Sequence, residues 1–287
     1  MKAHRRRLII FAFFGICLAQ QLYSQSSASD SSFHPYHVNY WVTGTLMGVG
    51  LTTNYLGVTR VFGKEELSPL EIQALNKGIV NGIDSWAFKQ DPSRMDAFAK
   101  YSDYTVAATV VLPVLLLFDK QIRQDWSDVL LMYVETMSIT PNIYEWSPLG
   151  VTFQNRIRPL AYYDQLTYDQ RKSGNNRNSF YSGHVAVVSA STFFMVKVYS
   201  DYHPEIGDNK YLLYGAATIP PLILGYFRVR ALQHFPSDIM VGIGVGAFCG
   251  ILIPELHRFQ DKTISVDLYS SSEATGITLK WQPSFLK

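Results

Sequence analysis

The sequence predicts an all-α fold, a helical core of six apolar segments with a short C-terminal β-hairpin. The apolar segments run at about 40–59, 104–118, 127–144, 184–199, 211–227 and 238–254, and none alternates strictly between apolar and polar residues, so they read as helices. Helix-start chemistry recurs: Ser68-Pro69-Leu70-Glu71 is a capping box with proline at the first helical position, predicting a helix over 69–82, and Pro236 suits the first turn of another. The tail changes period. Ile264, Val266 and Leu268 alternate with polar residues, as do Ile277, Leu279 and Trp281, with Ser270 to Gly276 between them. Residues 162–180 are polar, include Gly174, Asn175 and Asn176, and read as a loop.

The N-terminus carries export chemistry. Lys2, Arg5, Arg6 and Arg7 precede an apolar run from Leu8 to Ala19, and Leu22-Tyr23-Ser24 offers a peptidase site before Gln25. These are the parts of a signal peptide; an uncleaved membrane anchor is the alternative for residues 1–24. A polar leader (25–37), an N-terminal helical region (38–100), the helical core (101–258) and a tail (259–287) follow. The cysteines are Cys17 and Cys249. Cleavage leaves Cys249 alone in an apolar stretch, so neither an intramolecular disulfide nor a zinc-type cysteine cluster is expected.

Composition narrows the class. The net charge of +2 sets up no long-range field that favours nucleic acid. Apolar residues reach 47% and charged residues only 17%, against about 25% in soluble domains. That fits a membrane protein with short spans or a soluble helical protein with a large core. Most apolar segments fall short of the roughly 20 residues that span a bilayer. Some carry a charge, as at Glu135 and Lys197; Glu135 reads equally as part of a functional site or as one half of a pair inside the bundle.

Three clusters hold candidate chemistry. In the third, His234 precedes Phe235-Pro236-Ser237-Asp238, and a spacing of four puts histidine and aspartate on one helical face. There the carboxylate can accept one imidazole N–H and leave the other nitrogen free to attack. In the second, Ser182 and Gly183 lead into a helix starting near His184, where backbone N–H groups, a close-approach glycine and a hydroxyl suit an anion. In the first, Arg158 before Pro159 offers a forked phosphate ligand. Taken singly, each has a structural explanation: a helix-entry histidine with a capping acid, a serine cap, or a basic patch at a membrane boundary.

Together the clusters resemble the three-part signature of the type 2 phosphatidic acid phosphatase and vanadium haloperoxidase superfamily. Arg158-Pro159 matches the end of the first part, and Ser182-Gly183-His184 the second. Arg228, five residues, His234, three residues and Asp238 match the third. The resemblance covers about residues 100–255 and implies a six-helix core. It implies catalytic roles for His234 as nucleophile, Asp238 as its orienter and His184 as acid and then base. It places Arg158, Ser182, Gly183 and Arg228 on the phosphate, with no metal and no cofactor. The chain departs from the pattern at Tyr181 and Phe227, and at Val151, where the family has lysine; Lys172 or Arg156 is the candidate substitute.

The expected function is metal-independent hydrolysis of a phosphomonoester or diphosphate, on a lipid, through a phosphohistidine. The resemblance implies substrates such as undecaprenyl diphosphate, phosphatidylglycerol phosphate, phosphatidic acid or lipid A phosphate, with no nucleic acid partner. The alternatives are a catalytically weakened member that only binds phosphate or lipid, suggested by Val151, and a vanadate-dependent haloperoxidase. The expected location is the bacterial cytoplasmic membrane with the site facing the periplasm, or the periplasm itself. A cleaved signal together with a spanning segment 40–59 would put the site in the cytoplasm, so one of those two premises fails.

Overall fold

The protein is described here by a computed structural model covering residues 34–258 and the backbone of 264–270 and 275–281. The expected signal peptide or anchor, Cys17 and the leader before residue 34 lie outside the described residues. All described residues belong to one unit, Phe33–Lys287.

Among the described residues ten α-helices follow in order: α1 Tyr40–Phe62, α2 Pro69–Gln73, α3 Met95–Val110, α4 Lys120–Gln124, α5 Trp126–Trp146, α6 Tyr168–Arg171, α7 Gly183–Tyr202, α8 Lys210–Ala217, α9 Ile219–Arg230 and α10 Pro236–Leu256. Their ends follow local chemistry. The Asn39 side chain caps α1 by accepting from the N–H groups of Trp41 and Val42. The Ser68/Glu71 box opens α2 as expected, yet the helix stops at Gln73 instead of running to 82. The Asn76 side chain takes the Gly78 N–H and starts a separate 3-10 turn, Lys77–Ile79. Pro113, without an N–H, ends the α-helical part of the 104–118 segment, which continues as the 3-10 stretch Leu112–Phe118. The segment 211–227 divides at Thr218, where Pro220 and Pro221 suit only a helix start.

Six apolar segments thus become more than six helices, and the fold expectation needs a second correction. No strand is described between residues 34 and 258, where extended pairing is limited to one bridge between Tyr36 and Arg258. The C-terminal hairpin is not an element of the helical fold. Ile264–Ser270 (β1) and Thr275–Trp281 (β2) pair antiparallel with each other alone. A lone two-stranded ribbon has little stability of its own. The domain is helical, with no β layer.

At its centre α7 and α10 run parallel in close contact, and a stripe of glycines makes that possible. A Cβ on Gly242 would lie 2.7 Å from the Ser182 carbonyl oxygen, on Gly246 2.1 Å from that of Ala186, and on Gly250 2.5 Å from that of Ala190. Only hydrogen fits at such distances, as in close helix pairs elsewhere. Parallel packing brings both N-termini, at Gly183 and Pro236, to one end of the bundle. The opposite end is closed by charge pairs. Lys197 bonds Asp201 at 2.6 Å and Glu255 at 2.5 Å, and the Tyr36 hydroxyl donates to Asp201 at 2.7 Å. Glu135 pairs there with His257 at 2.8 Å, which is the bundle-interior role.

Three helical stretches, Pro92–Phe118, Pro204–Arg230 and Pro236–Leu256, are long and apolar enough to cross a membrane. Large apolar side chains stand exposed along α1, α3, α8 and α9, including Trp41, Val49, Tyr55, Tyr104, Leu212 and Ile223. Such a surface suits a lipid environment better than water.

Candidate active site

All three clusters meet at the end of the bundle where α7 and α10 begin. Pro159 holds Arg158 in extended backbone (φ −66°, ψ 151°) at the start of a 3-10 turn. The Arg158 N–H donates to the Asn176 carbonyl at 2.7 Å, its Nε to the Asn178 carbonyl at 3.4 Å, and its Nη1 to Gln233 Oε1. Arg228 lies on the last turn of α9 and donates Nη1 to Ser102 Oγ at 3.2 Å. The reversal from α9 into α10 is made in five residues. The Gln233 N–H returns to the Arg228 carbonyl at 3.1 Å, and Leu232 takes a left-handed conformation, φ 58°. For a leucine that costs of the order of 1–3 kcal/mol. The turn places His234 just before α10.

His234 is 1% exposed. Its Nδ1 lies 2.6 Å from the Ser179 carbonyl oxygen, which can only accept, so Nδ1 carries the proton and Nε2 carries the lone pair. Burial, with the charges of Arg228 and Arg158, pushes its pKa well below the usual histidine range and keeps the ring neutral. This corrects the expected role of Asp238. Asp238 Oδ2 is 3.9 Å from His234 Nδ1, too far for a hydrogen bond. That oxygen instead accepts from Ser179 Oγ at 2.6 Å and from the Phe235 N–H at 2.8 Å. Asp238 therefore fixes the segments either side of the imidazole, one carrying the carbonyl and the other the ring.

Asp238 Oδ1 is bound by Arg156 Nη1, whose Nη2 reaches Asp84 Oδ2 at 2.6 Å. Asp84 also accepts from the Ser237 N–H at 2.9 Å and from Asn81 Nδ2 at 2.7 Å. Arg156 stacks on Phe235, 4.4 Å from the ring centre. Thus Arg156 is committed to two carboxylates and does not replace the lysine expected at Val151. Lys172 is committed too, 3.0 Å from Asp169 and 3.7 Å from Glu66. Val151 itself is buried in a turn, with no helix running from it to Arg158, so the expected shared helical face does not exist. Its N–H donates to the Tyr144 carbonyl at 2.8 Å.

Ser182 N-caps α7 without a side-chain bond, and its buried hydroxyl has no partner among the described residues. Its own N–H donates to the Asp238 carbonyl at 3.1 Å, tying the second cluster to the third. His184 is exposed in the first turn of α7. The charge of Arg228, then loss of solvation, then the charge of Arg158 hold its pKa well below the usual range. Arg158 and Arg228 are 7% and 6% exposed, and neither pairs with a carboxylate among the described residues. Arg228 Nε is also buried without a partner among the described residues. Two adjacent buried guanidinium groups with no carboxylate in ion-pair contact are costly, and burial pushes the Arg158 pKa down to about 10, against the more distant charge of Asp238. An anion bound between them removes that cost.

Sequence reasoning brought together Arg158, Ser182, Gly183, His184, Arg228 and His234. It gave no site role to Ser179 or Gln233 and read Asp84 as a helix-boundary residue. Ser179 stands three residues before Ser182 and was within reach of the motif; the others come from segments with no pattern to mark them.

The sequence model of the PAP2 superfamily matches residues 129–262, a stretch that contains all three clusters. No curated protein matches the chain. Among solved structures, the chain is similar to the crystal structure of a transmembrane PAP2 type phosphatidylglycerolphosphate phosphatase from Bacillus subtilis. The two share 16% identity over 74% of this chain and 93% of that one, at a TM-score of 0.40. The superfamily match supports a phosphatase-type activity. Residues 129–262, just under half of the chain, are thus similar to the PAP2 superfamily.

Proposed function

We propose that the protein hydrolyses a phosphate ester or diphosphate carried on a lipid, by way of a phosphohistidine on His234. The observation that carries this reading is the pair of buried guanidinium groups, in no ion pair with a carboxylate among the described residues, beside a neutral histidine of defined tautomer. Arg158, Arg228, the Ser182 hydroxyl and the Gly183 N–H at the head of α7 hold the phosphoryl oxygens. The Nε2 lone pair of His234 forms a bond to phosphorus as the bond to the leaving alkoxide breaks. His184 gives that alkoxide a proton. Water then attacks phosphorus, passes its proton to His184, and the N–P bond breaks to release phosphate. Positioning and charge neutralisation are what phosphoryl transfer requires of a protein.

His184 needs a proton for the first step, while the free site disfavours one. The same arginine charges that depress its pKa are offset by a bound phosphate, so substrate binding restores the proton affinity. The apolar surfaces of α1, α3, α8 and α9 support a lipid substrate drawn from a bilayer, and the resemblance to an outward-facing family is the ground for a site turned to the periplasm. Labelling of single cysteines near His184, in a Cys249→Ala background, tests that orientation. Turnover of a short-chain phosphatidic acid in detergent micelles, compared between the wild type and a folded His234→Ala variant, tests the reaction. Turnover is lost in the variant if the reading is right; equal turnover in both overturns it. A wild type that binds phosphate without turning over any ester would instead be the weakened, binding-only member that Val151 suggests.

A further inference from the structure

We infer that Tyr144 is a further phosphate-binding residue, its phenol donating a hydrogen bond to a phosphoryl oxygen beside Arg158 and Arg228. The inference rests on the phosphohydrolase reading for its chemistry, but it concerns a side chain outside all three sequence clusters.

Tyr144 lies in the last turn of α5, and its ring is pressed against the head of α7. A Cβ added at Gly183 would lie 3.1 Å from three ring atoms, including Cζ, the carbon that bears the hydroxyl. That leaves the hydroxyl within a few ångströms of the Gly183 backbone, where an anion at the N-terminus of α7 would sit. The ring cannot drift from this position. It packs edge-on to the buried Tyr181, with centroids 5.4 Å apart and planes at 78°. Its carbonyl is held by the Val151 N–H at 2.8 Å.

The surrounding charges agree with this placement. Among charged groups, Arg158 and Arg228 act most strongly on the Tyr144 phenol, ahead of Glu145 and Asp238. In return, Tyr144 leads the charge partners of Arg158. The hydroxyl of this half-buried side chain bonds neither arginine and has no hydrogen-bond partner among the described residues. A hydroxyl near two cations turns its oxygen toward them and leaves its proton for an anionic acceptor. A phosphoryl oxygen supplies that acceptor. The turn that carries Val151 is bonded to the backbone of Tyr144, and Lys64 Nζ, the nearby ammonium, is taken up at 2.7 Å by each of the Val151 and Gln154 carbonyls.

Tyr144→Phe keeps the ring against Gly183 and Tyr181 and removes only the donor. The expected result is a fall in kcat/KM for short-chain phosphatidic acid of about ten- to a hundred-fold, with a parallel weakening of orthovanadate inhibition. 4-Aminophenylalanine at position 144, which keeps a donor, restores both. If Tyr144→Phe unfolds, 4-fluorophenylalanine takes its place in the comparison. Unchanged kcat/KM and unchanged vanadate inhibition in a folded donor-free variant overturn the inference. If the wild type turns over no ester, direct titration with inorganic phosphate separates the two claims. Weaker phosphate binding by Tyr144→Phe then supports the donor while the hydrolase reading fails, and equal binding, or none by the wild type, overturns the donor as well.

Discussion

His234 gives its Nδ1 proton to the Ser179 carbonyl at 2.6 Å, while Asp238 stands 3.9 Å away and braces Ser179 through its hydroxyl. The orienting group is thus a backbone carbonyl, and the carboxylate acts one bond further out. Asp238→Asn is therefore expected to lower kcat without changing the imidazole tautomer, because the Ser179 carbonyl remains. Nitrogen-15 chemical shifts of the His234 ring check this: Nδ1 stays protonated in the variant. A switch of the proton to Nε2 would show that Asp238 sets the tautomer directly.

Arg228→Met separates stability from function. Arg228 is buried, has one hydrogen bond to Ser102 and no carboxylate partner among the described residues. Replacing such a charge with an apolar group of similar length is expected to leave stability unchanged or raise it by about 1–4 kcal/mol. Vanadate inhibition and turnover should fall together. A variant that unfolds more easily than the wild type would mean that Arg228 has a structural counter-charge in the protein.

The pH dependence of stability carries the signature of His234. Its folded pKa is depressed, so the stability it contributes is complete above the unfolded value of about 6.5 and declines as pH falls below that value. Denaturant midpoints measured down an acid series should decline from about pH 6.5, and less steeply in His234→Ala. Equal slopes in both proteins would remove His234 as the source. In kinetics the same depression keeps the nucleophile neutral, so the acid limb of kcat/KM should lie below the ordinary histidine range.

Gly246→Ala tests how the bundle sets the site. Its Cβ would meet the Ala186 carbonyl oxygen at 2.1 Å, a contact with backbone that no rotamer relieves. Destabilisation of at least about 2 kcal/mol is expected. Turnover should drop further than the loss of folded protein explains, since α7 carries Ser182 and His184 while α10 carries Asp238. Wild-type stability in Gly246→Ala would mean that the two helices part without cost.

Val151→Lys is expected to harm the protein. Val151 is fully buried in a turn, and lysine there brings an ammonium into apolar packing. A clear gain in kcat/KM from Val151→Lys would contradict that placement.

The grouping of the site was legible because histidine, arginine and serine sat at fixed spacings, and spacing survives folding. Ser182, His184, Arg228 and His234 converge because α7 and α10 are parallel, which the glycines at 242, 246 and 250 anticipate. What stayed hidden were partners supplied by distant or unpatterned segments: Asp84 from a 3-10 stretch, Tyr144 from the end of α5, and a main-chain carbonyl at Ser179. Sequence marks side-chain types but not which carbonyl a loop turns inward, so the carboxylate four residues from His234 drew the role that Ser179 fills. Helix breaks at Pro113 and Thr218 were missed for a related reason, since apolar character runs unbroken across both.

The most direct test of the central claim is to trap the intermediate. Radiolabelled phosphatidic acid is mixed with the protein in detergent, quenched within the first turnover in alkali, where phosphohistidine survives, and the labelled peptide is sequenced. The account predicts phosphate on Nε2 of His234, absent from His234→Ala. Label on another residue, or turnover without label on His234, would contradict it.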